Sequence, residues 1–266
     1  VLRRWGLAEQ TGEPAPARAR VPALAWHAAG EAVRDAGAAA TVVTTLDAGL
    51  QARVEALTAA HAAAQGPDVS AAVLVVETHG RAVRAAVGSA GLAAPGGWID
   101  MTAALRSPGS ALKPFIYGLA FDEGLAAPDT LMSDAPARFR DYQPENFDRV
   151  FHGRVTAREA LTHSLNVPAV ATLDRIGPAA FEARLKAAGV RLVRPGAGAR
   201  DPGLALALGG AGISLRDLAL LYAALADGGR AKPLAWTAAQ AARGGSAGGC
   251  ACSGRRRRGR WWTSCG

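Results

Sequence analysis

The stretch Arg106–Gly124, RSPGSALKPFIYGLAFDEG, constrains this chain more than any other. Residues Phe115–Phe121 form an apolar run that reads as a buried helix, anchored in a core. Gly109 and Ser110 stand at its mouth, and Lys113 follows Ser110 at a spacing of three. A charged lysine at the head of such a helix needs a chemical reason. The 266 residues, half of them hydrophobic, are enough for one substantial core. Sparse aromatics and abundant alanine suit closely packed helices.

Other elements are legible around that run. A short helix is expected near Leu24–Val33, and the β-branched TVVTTLD, Thr41–Asp47, reads as a strand. Asp47 then caps a helix over Ala48–Ala64, with Leu50, Val54 and Leu57 at helical spacing. Ala71–Gly88 reads as a hairpin turning at Thr78–Arg81, its apolar first arm covered on both faces. Residues 89–109 are a Gly- and Pro-rich loop, and 125–155 carry few periodic signals. Thr156 and Glu159 have capping-box spacing, so a helix starts there, and Pro168 limits its length. Ser214 and Asp217 open a further helix that Gly228-Gly229 stops.

The net charge of +8 is mostly a property of the end of the chain. Six arginines lie between Arg243 and Arg260, and without them the balance is about +2. The three cysteines, Cys250, Cys252 and Cys265, lie there too, which leaves the redox compartment open. Residues 243–266 have no period and read as a disordered or frame-shifted basic tail. GRRRRGRWW in it pairs arginines with tryptophans, so nucleic-acid binding is kept as a third reading against the commoner solvated tail. No run of 18 charge-free apolar residues suggests a membrane span, and VLRRWGLAEQ lacks the apolar centre of a signal peptide. Lacking an initiator methionine, the chain is expected to be a piece of a longer product.

Serine holds its proton too tightly to attack at neutral pH without a base in reach. Positions i and i+3 share one helix face, about 5–6 Å apart at Cβ. Partial burial lowers a lysine pKa, so a neutral Lys113 could accept the Ser110 proton. Ser110 would also sit at the positive helix end, where oxyanion charge is favoured, and Gly109 leaves room for a substrate backbone. The plain reading stays open: Ser110 as an N-cap and Lys113 as a solvated first-turn residue. THSLN supplies Ser164 and Asn166, which can point a hydroxyl and an amide into one cleft. Asn166 is also readable as an ordinary helix-ending residue.

Ser-x-x-Lys followed about fifty residues later by Ser-x-Asn resembles the penicilloyl-serine transferases. With YQPENFD, FHGRVTAREALTHSLNVPAV and LALGGAGISLRDLALLYAALADGG, residues 40–234 resemble the transpeptidase domain of bifunctional class A penicillin-binding proteins. The resemblance implies an α+β fold, an antiparallel sheet flanked by helices. It implies a connector at 1–40, a partial transpeptidase domain at 41–242 and the tail at 243–266. It implies D-Ala-D-Ala stem peptides or β-lactams as the acylating partners and no cofactor or metal. Ser110 would be the nucleophile, Lys113 the base, Ser164 the proton relay and Asn166 the group that orients substrate and lysine. The Ser110 N–H would form half of the oxyanion hole. The parent would be a membrane-anchored glycosyltransferase and transpeptidase on the periplasmic face of the inner membrane.

Two family features are absent from the sequence. No Lys-Thr-Gly or Lys-Ser-Gly occurs, nor a Glu-Asp-x-x-Phe glycosyltransferase signature. The strand of the first would close the sheet, so an unpaired edge and weak or no transpeptidation are expected. An inactive remnant, and a hydrolase of carboxypeptidase or β-lactamase type, therefore stay open. Gly209-Gly210-Ala211-Gly212 reads as a tight turn rather than a phosphate loop. The five histidines are scattered, with His163 expected on a helix surface, and no Gly-x-Ser-x-Gly elbow exists.

Overall fold

The computed structural model describes residues 24–36, 41–139, 142–194 and 203–246. Helix α3, Lys113–Asp122, continues directly from a 3-10 turn at Gly109–Leu112 and is the centre of the protein. Because it is apolar all round, it is packed on two sides. Leu112, Phe115, Ile116 and Leu119 meet Val170 and Leu173 of α5 (Asn166–Ile176), Phe181 and Leu185 of α6 (Pro178–Ala187), and Leu221 of α7 (Leu215–Ala226). On its other side Tyr117 packs with Val155, Ala157, Ala160 and Leu165. The helix ends at Asp122, and Gly124 takes the positive φ of +70° that turns the chain away.

The sheet is antiparallel, as expected: β1 (Val73–Val76) pairs with β2 (Val83–Val87) across a turn at 78–80, with a bulge between Val75 and Val76. The burial differs from expectation. The apolar first arm is only half-buried along its length, whereas β2 carries the buried residues. The reason lies at the edges. The far edge of β2 is closed by an improvised row: Val83 N–H donates to Ala235 O, Asp47 N–H to Arg84 O, and Thr45 Oγ1 lies 2.8 and 2.9 Å from Val83 O and Ala235 O. The Gln51 amide completes it, donating to Ala86 O and accepting Ala86 N–H. No strand among the described residues pairs with the free edge of β1.

Thr41–Asp47 is consequently not a strand. It is irregular, with a single bridge from Thr44 to Thr237, because its groups serve β2 and Trp236 at scattered points. Helix α1 (Trp26–Ala36) packs on β2 through Ala28, within the stretch expected as a connector. Helix α2 (Ala48–Gln65) starts at the Asp47 cap as expected. Its inward face is nevertheless Gln51, Thr58 and Ala62, and Leu57 is exposed, because the edge of β2 needs amide partners rather than a methyl.

Residues 125–155, featureless in sequence, contribute β3 (Leu131–Asp134), which pairs antiparallel with β4 (Gly153–Thr156). Thr156 and Glu159 form the expected capping box for α4 (Ala157–Thr162). That helix stops well before Pro168, at Ser164, whose φ of +52° is left-handed. Asn166 therefore begins α5 rather than ending α4, and Pro168 sits harmlessly in the first turn of α5. Ser214 caps α7, which ends before Gly228 and Gly229. Helix α8, Ala238–Ser246, runs across the expected boundary at residue 242. Residues 247–266, with the cysteines and the arginine run, lie outside the described residues.

Candidate active site

Ser110 stands exposed in the first turn of the 3-10 segment, where backbone N–H groups are not used by the helix itself. Gly109 before it has a φ of +54° and open space where a side chain would be. The turn is held from behind. Ser107 Oγ donates to Gly209 O at 2.8 Å and accepts Gly109 N–H at 3.3 Å. Gly209, itself at φ +91°, comes so close that a Cβ there would meet Ser107 Oγ and lie 2.6 Å from Gly109 N. The glycine run that sequence read as a tight turn thus also backs the Ser110 segment.

Lys113 is one turn on and 1% exposed. Its stem is enclosed by the core and its Nζ emerges among oxygens. It donates to Ser164 O at 2.6 Å, to Asn166 Oδ1 at 2.6 Å and to Ser164 Oγ at 3.2 Å. Among the described residues no hydrogen bond joins it to Ser110. Burial disfavours the ammonium and lowers the Lys113 pKa to about 8. The solvated first-turn reading of Lys113 is therefore overturned.

The left-handed Ser164 stands in the break between α4 and α5, with its carbonyl accepting from Lys113. Asn166 is anchored at three points: Nδ2 donates to Glu145 O, N–H to Asn146 Oδ1, and Oδ1 receives Lys113. A cleft of about 470 Å³ opens in front, lined by Gly109, Ser110, Asn146, Phe147, Ser164 and Asn166 among others. His163 is exposed, as expected, and also lines it. Of the four residues singled out by sequence, Ser110, Ser164 and Asn166 line this cleft, and Lys113 stands behind it, joined to it through Ser164 and Asn166. Sequence reasoning passed over Asp134, Asn146 and the Ser107–Gly209 contact. Only YQPENFD hinted at the second of these, as a flank rather than as a site.

A cavity holding a nucleophile beside a depressed-pKa lysine can run acyl transfer: the amine removes the hydroxyl proton as the oxygen attacks a carbonyl. Among the described residues no three His, Cys, Asp or Glu side chains are grouped to hold a metal ion. No described helix is long and apolar enough to cross a membrane.

Comparison with known proteins converges on one domain type. The penicillin binding protein transpeptidase domain family matches residues 71–240. Penicillin-binding protein 1C of Escherichia coli K12 is 47% identical over 195 residues, which is 73% of this chain and 25% of that protein. Penicillin-binding protein 1F of Bacillus subtilis 168 is 40% identical over 129 residues, 48% of this chain and 17% of that protein. The chain thus spans a quarter or less of these relatives. PonA1 of Mycobacterium tuberculosis, solved with penicillin V, superposes with a TM-score of 0.61 at 23% identity, over 74% of this chain and 54% of that one, which shows a shared fold.

Proposed function

Given that the chain belongs to the penicillin-binding protein transpeptidase family, we propose that this cleft is the acylation centre of a serine-type D-Ala-D-Ala transpeptidase, with Ser110 as nucleophile. The observation that carries the proposal is Lys113, buried to its tip, with its pKa near 8 and its Nζ shared between Ser164 and Asn166.

The roles follow from the contacts. As an ammonium, Lys113 spends its donors on Ser164 and Asn166. After losing one proton it has a lone pair to receive the Ser110 hydroxyl proton. The lowered pKa makes that state far more accessible near neutral pH than for an ordinary lysine. Ser110 Oγ then bonds to the carbonyl carbon of the penultimate D-Ala of a stem peptide, and the C–N bond to the terminal D-alanine breaks. The proton reaches the departing nitrogen through Ser164, which touches Lys113. An amine of a neighbouring stem attacks the ester, Ser110 recovers its proton, and a cross-link remains. A β-lactam opens its ring at the same serine, and the ester persists. The complex of PonA1 with penicillin V supports that ligand class.

For the parent we propose a membrane-anchored, periplasm-facing protein with a glycosyltransferase ahead of the transpeptidase domain, to which α1 and α8 both belong. A second reading, a remnant that does not acylate, is favoured by one observation: the sequence has no Lys-Thr-Gly or Lys-Ser-Gly. Fluorescent penicillin separates the two. A covalent label that Ser110→Ala removes supports acylation; its absence from the unaltered chain supports the remnant. A donor peptide with and without a free amine then distinguishes transfer from hydrolysis.

A further inference from the structure

Asn166 holds Lys113, but nothing in its own helix holds Asn166. The residue before α5, Leu165, offers no side-chain cap. The cap comes from 20 residues upstream, where Asn146 Oδ1 accepts Asn166 N–H at 2.8 Å. The neighbouring Glu145 O takes Asn166 Nδ2 at 2.6 Å. With its N–H and its amide nitrogen both committed, Asn166 can only turn Oδ1 toward Lys113.

Asn146 is in turn fixed from below. It is 4% exposed, and its Nδ2 lies 2.9 and 2.8 Å from the two oxygens of Asp134 and 2.8 Å from Val150 O. Asp134 is fully buried, at the end of β3, and takes two further bonds from His152, one from its N–H and one from Nδ1. A buried carboxylate accepts and cannot donate. It therefore dictates which end of the Asn146 amide faces it, and leaves Oδ1 for Asn166.

We infer that Asn146, oriented by the buried carboxylate of Asp134, is a positioning residue of this centre: it sets Asn166 and, through Asn166, the amine of Lys113. The inference rests on the acylation reading for its functional meaning, but it has a readout of its own. Lys113, Lys186 and Lys232 are the only lysines of the chain. Lysine labelled with carbon-13 at Cε therefore gives three signals, two of them internal controls.

The test is the titration of Lys113 in Asn146→Ala, folding being checked by circular dichroism. Loss of the Asn166 contact removes an acceptor from the ammonium, so the Lys113 midpoint should fall by about one pH unit, the worth of one hydrogen bond to a charged group. Should Asn146→Ala not fold, Asn146→Ser replaces it, since its shorter side chain can still donate to Asp134 but cannot span to Asn166. An unmoved Lys113 midpoint in the folded variant overturns the inference, whatever the loss of stability. If penicillin labels the unaltered chain at Ser110, its labelling rate should level off about one pH unit lower in the variant, and at a lower plateau, because the neutral amine is no longer aimed by Asn166. A moved midpoint with no Ser110 label in the unaltered chain would sink the acylation reading and leave the positioning role standing.

Discussion

Lys113 is a charge kept where the core disfavours it, and this has a measurable sign. Its folded pKa, about 8, lies below the ordinary value of 10.5. Between those two pH values the unfolded chain binds more protons than the folded one, so this group makes stability rise with pH across that window. Below pH 8 the full penalty is present. Lys113→Met should therefore raise the unfolding temperature at pH 7 by a few degrees, on the order of 1–2 kcal/mol after the loss of its hydrogen bonds. The advantage should shrink between pH 8 and 10.5, which thermal melts of both proteins at several pH values will show. The same proton governs reactivity: the Ser110 labelling rate should climb with pH and level off above about 8, where the amine is neutral. Ser110, Lys113, Ser164 and Asn166 were legible in the sequence because each pair is local, three residues apart where the 3-10 turn runs into α3 and two apart across the break between α4 and α5. Asn146 and Asp134 were not, because only the pairing of β3 with β4 brings them under Asn166, in a stretch that has no period.

Among the elements, the 3-10 turn under Ser110 depends on a second segment 102 residues away, through Ser107 and Gly209. Gly209→Ala adds a Cβ against Gly109 at a φ that side chains rarely adopt. We expect a loss on the order of 2–3 kcal/mol in urea unfolding, with slower Ser110 labelling in the fraction that stays folded. Unchanged labelling kinetics in that variant would show that the contact supports the fold but not the serine. Element identities were read well from caps: Asp47, Thr156 and Ser214 each start a helix where their spacing said. Faces were read less well. The inward side of α2 is polar because it completes a strand edge, and no periodicity of apolar residues reports that need. The start of α5 was missed because the break before it is a left-handed serine, a conformation that the letters THSLN do not announce.

For the molecule as a whole, one side chain ties the sheet layer to the helical core. Arg216, at the start of α7, makes a two-pronged pair with Glu31 of α1 at 2.8 and 2.6 Å. It also reaches Asp100 at 2.8 Å and Thr102 at 3.0 Å, and stacks 4.4 Å over Trp236. Arg216→Met leaves two carboxylates facing each other without their cation. We expect it to lower stability by about 2–3 kcal/mol, with Arg216→Lys recovering only part, since a point charge cannot reproduce the fork or the stacking. Equal melting temperatures for Arg216→Met and the unaltered protein would remove Arg216 from this role.

The row that closes β2 has a consequence in time. Thr45 Oγ1 reaches both Val83 O and Ala235 O, and the residues it joins are up to 190 positions apart. A ribosome adding about 5–20 residues per second delivers Ala235 roughly 10–40 s after Thr45. A hairpin forms in microseconds. During synthesis, then, the first hairpin emerges with Thr45, Asp47 and Gln51 already made and able to occupy the edge of β2, and it waits for most of the chain only for the Ala235 bond that completes the row.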